Sequence, residues 1–336
     1  MPDLTGKVAV VTGGSTGLGF HIVKHLAAKG AKVYFTSRSE TRAREAAVRI
    51  ESLNPHVPSS QLIGLAIDLT DLNSVIQAAE KIKSNETKVD LFLDLDPLVG
   101  NGGGVIHGPR VITKSGWDMN IATNYIGHVL LVNLILPLMK AATTTPNSDV
   151  RIVMTSSNAI ELFLPEGYHP SWTTEKDLAL DHISETWRWR FFFRHLFAVD
   201  MFRYAMSKLA VSMFTKELQN RLDAESVPII CTSLNPGPTL SADVLSIFIP
   251  PMRPLVRKSF ISPDQGSFNA LFAATSEKVR DEPEKYKGRY MEPIGQLRTP
   301  HKIMNDPTQL EGLWNATMTS INRHLSECGP KRLEVW

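Results

Sequence analysis

Cysteine is nearly absent: Cys231 and Cys328 are the two in 336 residues, with no CxxC pair or Cys/His cluster near either. This excludes a disulfide framework and a cysteine-built zinc site, and it suits a reducing, cytoplasmic setting. Charge of one sign is also lacking, because 36 Lys+Arg against 34 Asp+Glu leave a formal +2. That is too little for the electrostatic footprint of a dedicated nucleic-acid binder, so no nucleic-acid partner is expected. No run of about eighteen uninterrupted apolar residues occurs, so no transmembrane segment is expected either. Internal repeats and low-complexity linkers are missing as well. The opening MPDLTGKVAVVTGG shows no basic leader or signal-peptide core, and the fold is expected to begin at the N-terminus. What is present is ordinary globular composition, 43% hydrophobic and 21% charged, enough for one large α/β unit with an insertion.

Short apolar runs alternate with longer periodic segments. Val8–Val11, Val33–Thr36, Leu62–Ile67, Val89–Leu93, Arg151–Thr155 and Ile229–Leu234 read as strands. Leu18–Ala28, Glu40–Leu53, Leu72–Lys83, Asn120–Ala142 and Tyr204–Leu222 read as helices, the first closed by Gly30 and the third capped by Asp71. The alternation predicts βαβ crossovers and a doubly wound α/β domain over residues 1–296, with a mainly parallel sheet of about seven strands and Tyr290 near the last. Residues 297–336 form a C-terminal helical extension, its helix around Leu310 to Leu325.

Two stretches break the alternation. Residues 158–203 hold six of the fourteen Phe and three of the six Trp, the mark of an insertion with its own apolar purpose. Leu245 to Phe260 mixes Ile, Pro, Leu and Arg without period, which suits a flap over 240–260 better than a sheet element.

The first strand runs into Thr12-Gly13-Gly14-Ser15-Thr16-Gly17-Leu18-Gly19, in the strand-turn-helix context of a phosphate-binding turn. Gly13 admits a backbone conformation closed to other residues, Gly17 admits close approach of a pyrophosphate, and Gly19 admits close helix-strand packing. A tight strand-helix connection is the plain alternative. A site selecting NAD usually carries a carboxylate at the end of the second strand, but here that strand ends Thr36-Ser37-Arg38. The Arg38 guanidinium could pair with a 2′-phosphate and stack on adenine, which favours NADP(H). Otherwise Arg38 is one more exposed arginine beside Arg42 and Arg44.

Tyr204 and Lys208 stand four apart at the start of a periodic helix, one above the other on the same face. A phenol with its ordinary pKa of about 10 is a poor acid or base at neutral pH, and a neighbouring cation favours the phenolate. With these motifs stand Asp68-Leu69, Asn124-Tyr-Ile-Gly127-His128, Thr155-Ser156-Ser157, Asn235-Pro236-Gly237, Ser262-Pro-Asp-Gln-Gly266 and Gly288-Arg-Tyr290. In that order they resemble the short-chain dehydrogenase/reductase superfamily over nearly the whole chain, and most of all its retinol-dehydrogenase and protochlorophyllide-reductase-like branch.

The resemblance implies a Rossmann fold and a set of roles. Tyr204 would be the general acid/base, and Ser157 the hydroxyl that polarises the substrate oxygen. Lys208 would bind the nicotinamide ribose and lower the phenol's pKa. Asn124 would hold a water of a proton relay. Gly13, Ser15, Thr16, Gly17, Leu18 and Gly19 would hold the cofactor's phosphates, Asp68 and Leu69 would line the adenine pocket, and Pro236, Gly237 and Thr239 would border the nicotinamide. In two places the chain departs from the family. The usual Asn-Asn-Ala-Gly after the fourth strand is replaced by Asp94-Leu-Asp96-Pro-Leu-Val-Gly-Asn101-Gly-Gly-Gly104, where Asn101 could substitute. Ser157 and Tyr204 are also 47 positions apart, wider than the family's usual spacing.

An insertion between two catalytic residues leaves and re-enters beside the site, so its aromatics could wall or cover a pocket for a bulky hydrophobic substrate such as a terpenoid, polyketide, steroid or retinoid. They could equally form a satellite core or a homodimer contact. Arg188, Arg190, Arg194 and Arg203 among Trp and Phe would also suit peripheral contact with an anionic membrane. Neither His182 nor His195 has a partner at metal-ligand spacing, and no metal is expected. The expected activity is NADPH-dependent reduction of a hydrophobic ketone. Oxidation of a hydrophobic alcohol, or a catalytically silent NADP-binding scaffold, are the alternatives.

Overall fold

The computed structural model describes residues 1–95, 111–164, 168–181, 200–240 and 242–328. Six parallel strands come first: β1 (Val8–Val11), β2 (Lys32–Ser37), β3 (Leu62–Ala66), β4 (Leu91–Asp94), β5 (Val150–Thr155) and β6 (Ile229–Leu234). β7 (Arg289–Glu292) extends the parallel set, and β8 (Gln296–Arg298) closes the edge in antiparallel pairing with it. The order is β3-β2-β1-β4-β5-β6-β7-β8. β8 is one strand beyond the expected seven, reached through a turn at Gly295, whose φ of 69° is a left-handed value open to glycine. The central strands β1, β4, β5 and β6 are buried at every residue, because helices cover both faces of a parallel sheet.

Among the described residues seven long helices flank it: α1 (Gly17–Ala28), α2 (Glu40–Leu53), α3 (Leu72–Asn85), α4 (Met119–Thr143), α5 (Met201–Ala224), α6 (Pro263–Thr275) and α7 (Pro307–Cys328). Asp71 caps α3 through Asn73, and Asp200 starts α5 one turn earlier than the periodicity suggested by accepting from Arg203 N. α4 has the length and mean hydropathy, 1.6, of a membrane-crossing helix, but most of it is buried in the core against α3 and the sheet. Its apolar surface is therefore used inside the fold.

α7 lies on α4 and α5. Trp314 stacks on Phe214 with ring centroids 5.4 Å apart and planes 9° apart. The Arg221 guanidinium sits 4.4 Å from the centre of the same indole. Tyr125 meets Phe214 edge-on and pairs its hydroxyl with Thr317 Oγ1 at 2.9 Å, while Trp117 Nε1 donates to Ser320 Oγ at 2.8 Å.

The described half of the aromatic insertion belongs to this same core. Trp172 is fully buried and its backbone N–H donates to Gln309 Oε1 at 2.8 Å, and a β-carbon on Gly312 of α7 would run into the Trp172 carbonyl. Phe202 is buried as well, edge-on to Tyr168. Arg203 corrects the membrane-contact expectation at its position: it is buried and ion-paired with Asp118 at 3.0 Å, because a cation inside the fold needs a carboxylate beside it. The Phe191–Phe193 run, Trp187, Trp189, Arg188, Arg190, Arg194, His182 and His195 lie outside the described residues.

The 240–260 stretch is a helical excursion. It carries the short helices Ala242–Ile247 and Arg253–Ser259. Its ends are pinned by Leu240 N donating to Ile261 O at 2.8 Å and Ile261 N to Pro238 O at 2.9 Å.

Candidate active site

Because seven strands run parallel, their carboxyl ends share one edge. The order reverses between β1 and β4, and that switch point opens the crevice where doubly wound folds bind ligands. Every described candidate residue from the sequence falls on this edge or on a helix that abuts it.

The glycine turn has the geometry of a phosphate cradle. Gly13 and Gly17 adopt left-handed φ values of 61° and 54°, and a β-carbon on Gly19 would run into the Gly13 carbonyl. Gly13 N donates to Thr36 Oγ1 at 3.1 Å, and Ser37 Oγ donates to Ser15 Oγ at 3.0 Å, so the turn is tied to the end of β2. Thr16 caps α1 without a side-chain bond and no acidic residue stands in the first turn, which leaves the positive end of the helix to an anion. Arg38 is exposed directly after β2. Ile67 N donates to Ser37 O at 2.8 Å, which places Asp68 on the neighbouring strand end. Asp68 is exposed and accepts from Thr70, and Leu69 is buried where Gly127 lets α4 press on its backbone. These residues fit a dinucleotide carrying a 2′-phosphate. Asn101 lies outside the described residues.

Around the Tyr204–Lys208 pair the structure adds supports that the sequence did not announce. The Lys208 ammonium is buried, 5.8 Å from the Tyr204 ring centre, and donates to Thr155 O at 3.0 Å. Asn124 Nδ2 donates to Ser207 Oγ at 2.9 Å, and Ser207 Oγ donates to Tyr204 O at 2.7 Å. Asn124 sits in a π turn, Ala122–Ile126, inside α4, an irregularity that recurs at functional sites and that apolar periodicity does not reveal. Ser156 Oγ donates to Lys208 O at 3.0 Å and accepts from Ser212 Oγ at 2.8 Å, fastening the end of β5 to α5. Ser157, half-buried, accepts from Ala159 N at 3.1 Å and opens the short helix Ala159–Phe163. Thus Asn124 on α4 is tied through Ser207 to Tyr204 on α5, Lys208 is tied to Thr155 at the end of β5, and Ser157 follows two residues beyond that strand end.

The Pro236-Gly237-Thr239 turn follows β6. Gly237 has φ 85°, its N–H donates to Asn235 Oδ1 at 3.2 Å, and Thr239 Oγ1 donates to Gly237 O at 3.2 Å. The first turn of α6 presses on both the Pro236-Gly237-Thr239 turn and the start of α1, because a β-carbon on Gly266 would strike Thr239 Oγ1 and lie 3.0 Å from Leu18. Ser262 and Gln265 form a capping box at this end.

One ion cluster holds α6 to α1. Asp264 Oδ1 lies 2.7 Å from Lys24 Nζ, 2.8 Å from His21 Nδ1 and 2.9 Å from His25 Nε2. Burial raises the Asp264 pKa, but hydrogen bonds from Lys24 and His25 outweigh it and hold the carboxyl well below its ordinary range. Burial lowers the His21 pKa below its ordinary 6.5. Both groups then bind protons more readily in the unfolded chain, so stability is lost as pH falls. The His21 share starts to go below about pH 6.5 and the Asp264 share below about pH 4. The melting temperature is expected to drop between pH 7 and pH 5, and His21→Gln should flatten that drop. An unchanged slope would refute the contribution of His21.

Comparison with known proteins agrees with this architecture. A family model described as short chain dehydrogenase matches residues 7–168. The short chain dehydrogenase/reductase dpchH of Colletotrichum higginsianum is 36% identical over 321 residues, covering 96% of this chain and 76% of that protein. Its counterpart dpfgH of Gibberella zeae is 35% identical over 322 residues, covering 96% and 84%. Among solved structures, L-sorbose reductase from Gluconobacter frateurii, complexed with NADPH and L-sorbose, shares the fold at a TM-score of 0.58 with 19% identity, over 88% of this chain and 98% of that one. The fold is a Rossmann-type, doubly wound oxidoreductase fold. The chain belongs to the short-chain dehydrogenase/reductase family and is an oxidoreductase acting on CH–OH or C=O groups.

Proposed function

We propose that the protein is an NADPH-dependent reductase of a bulky, largely apolar ketone. The observation that carries this reading is the Lys208 ammonium held beside the Tyr204 ring at the end of β5, at the sheet edge that also bears the glycine cradle and Arg38. We read residues 1–296 as the catalytic unit and 297–336 as an extension.

Gly13, Ser15, Thr16, Gly17, Leu18 and Gly19 hold the phosphates, Arg38 the 2′-phosphate, Asp68 and Leu69 the adenine, and Pro236, Gly237 and Thr239 the nicotinamide side. When bound, NADP(H) supplies the hydride, or accepts it in the reverse direction. Ser157 Oγ donates a hydrogen bond to the substrate oxygen, and Tyr204 gives that oxygen its proton. Lys208, held at Thr155 O, places its positive charge beside the phenol and favours the phenolate left after proton transfer. Asn124, fixed on Ser207, holds the relay that returns a proton to this pair.

Comparative titration tests the cofactor. NADPH should bind more tightly than NADH, and Arg38→Ala should weaken NADPH by about 10- to 100-fold, the scale of a charge-assisted phosphate contact, with NADH little changed. Equal or tighter binding of NADH by the wild type would reject the assignment. A substrate screen should favour bulky apolar ketones over small polar ones, and the reverse ranking would remove the hydrophobic-substrate part.

A further inference from the structure

At the switch point, three fully buried polar side chains meet: Thr12 at the end of β1, Asp94 at the end of β4 and His128 on α4. His128 Nε2 donates to Asp94 Oδ1 at 2.9 Å and lies 3.1 Å from Thr12 Oγ1, which also accepts from Leu95 N at 2.9 Å. The chain of contacts continues on the far side. Thr155 Oγ1 donates to Asp94 O at 2.5 Å, and Thr155 O accepts from Lys208 Nζ at 3.0 Å. The side-chain cluster joins β1, β4 and α4, and separate main-chain contacts step on from Asp94 O to Thr155 and from Thr155 O to Lys208.

Stability alone gives a poor account of this arrangement. Among the described residues Asp94 Oδ2 and His128 Nδ1 have no hydrogen-bond partner, so there the network is incompletely satisfied at a fully buried place. Buried polar groups left unpaired cost free energy, and an apolar set of similar volume would serve packing as well or better. What an apolar set would not supply is direction: His128 Nε2 and Asp94 Oδ1 hold Thr12 Oγ1, which sets how the chain enters the glycine turn.

We propose that the Asp94–His128 pair is a positioning element that holds Thr12, and with it the entry to the phosphate turn, in place to engage the phosphates of one dinucleotide. The proposal rests on the NADP(H) reading above. The effect of both side chains passes through Thr12.

Ligand length provides the test. NADP⁺ spans the turn and the lysine, whereas adenosine 2′-monophosphate reaches only the Arg38 and Asp68 end. In calorimetric titrations, His128→Leu should raise the Kd for NADP⁺ about tenfold, the loss of one well-placed contact, and leave that for adenosine 2′-monophosphate within about twofold. Asp94→Asn keeps an oxygen to accept from His128 and should stay within about threefold of the wild type for both ligands. Should His128→Leu fail to fold, Thr12→Val, near-isosteric, removes the hydroxyl link and should show the same split. Equal weakening of both ligands, or a lowered melting temperature with both affinities unchanged, would overturn the positioning role. A wild type that binds neither nucleotide would overturn the NADP(H) reading instead.

Discussion

Tyr204→Phe is expected to lower kcat by roughly 100- to 10,000-fold, the range that a positioned proton donor contributes, while NADPH affinity stays within about twofold. The change removes one oxygen and keeps the ring. Tyr204 is nearly buried, its backbone oxygen is engaged by Ser207, and its ring stands beside the Lys208 ammonium, so the substituted ring keeps its place. Stopped turnover with intact binding would place the proton on this phenol. If the variant turned over at the wild-type rate, the acid would have to be another group. If the wild type reduced nothing in a broad ketone screen and oxidised no alcohol, the chain would be better read as an NADP-binding scaffold.

The largest effect on stability is expected from Trp314→Ala, at roughly 3–5 kcal/mol for a buried large aromatic. The indole is stacked on Phe214 and covered by Arg221, so its removal leaves a cavity between α7 and α5 and takes a cation-π contact with it. α5 carries Tyr204 and Lys208, and therefore the proposed catalytic pair leans on the C-terminal helix. Thermal and urea melts would measure the loss. A change below about 1 kcal/mol would show that α7 packs loosely and that the 297–336 segment is an independent appendage.

How much of this was open to inspection in the sequence differs from element to element. The buried strands were visible because a parallel sheet covered on both faces needs unbroken β-branched runs, as Val8–Val11 and Ile229–Leu234 are. The turn at Gly13–Gly19 and the four-residue step from Tyr204 to Lys208 were visible for a related reason: their chemistry depends on local spacing that a helix or turn converts directly into geometry. Arg38 belongs with them, being the residue next after a strand whose end is easy to locate.

The aromatic insertion shows where local reading stops. Its composition suited a substrate wall, a satellite core or a membrane face, and composition does not say which way a side chain points. Trp172 is in the core because Gly312, 140 positions later, lets α7 close over it, and Arg203 is buried because Asp118 waits on another segment.

By itself the sequence determined the strand-helix alternation, the glycine turn and the residue types at the site, since each is set by interactions within a few positions of the chain. Tertiary structure alone decided the rest: the π turn that presents Asn124, the serines that fasten α5 to β5, the buried cluster of Thr12, Asp94 and His128, and the Thr155 carbonyl that holds Lys208. The physical reason is that hydrogen bonds and buried charges are satisfied by whatever the fold brings within about 3 Å, and sequence distance places no limit on that.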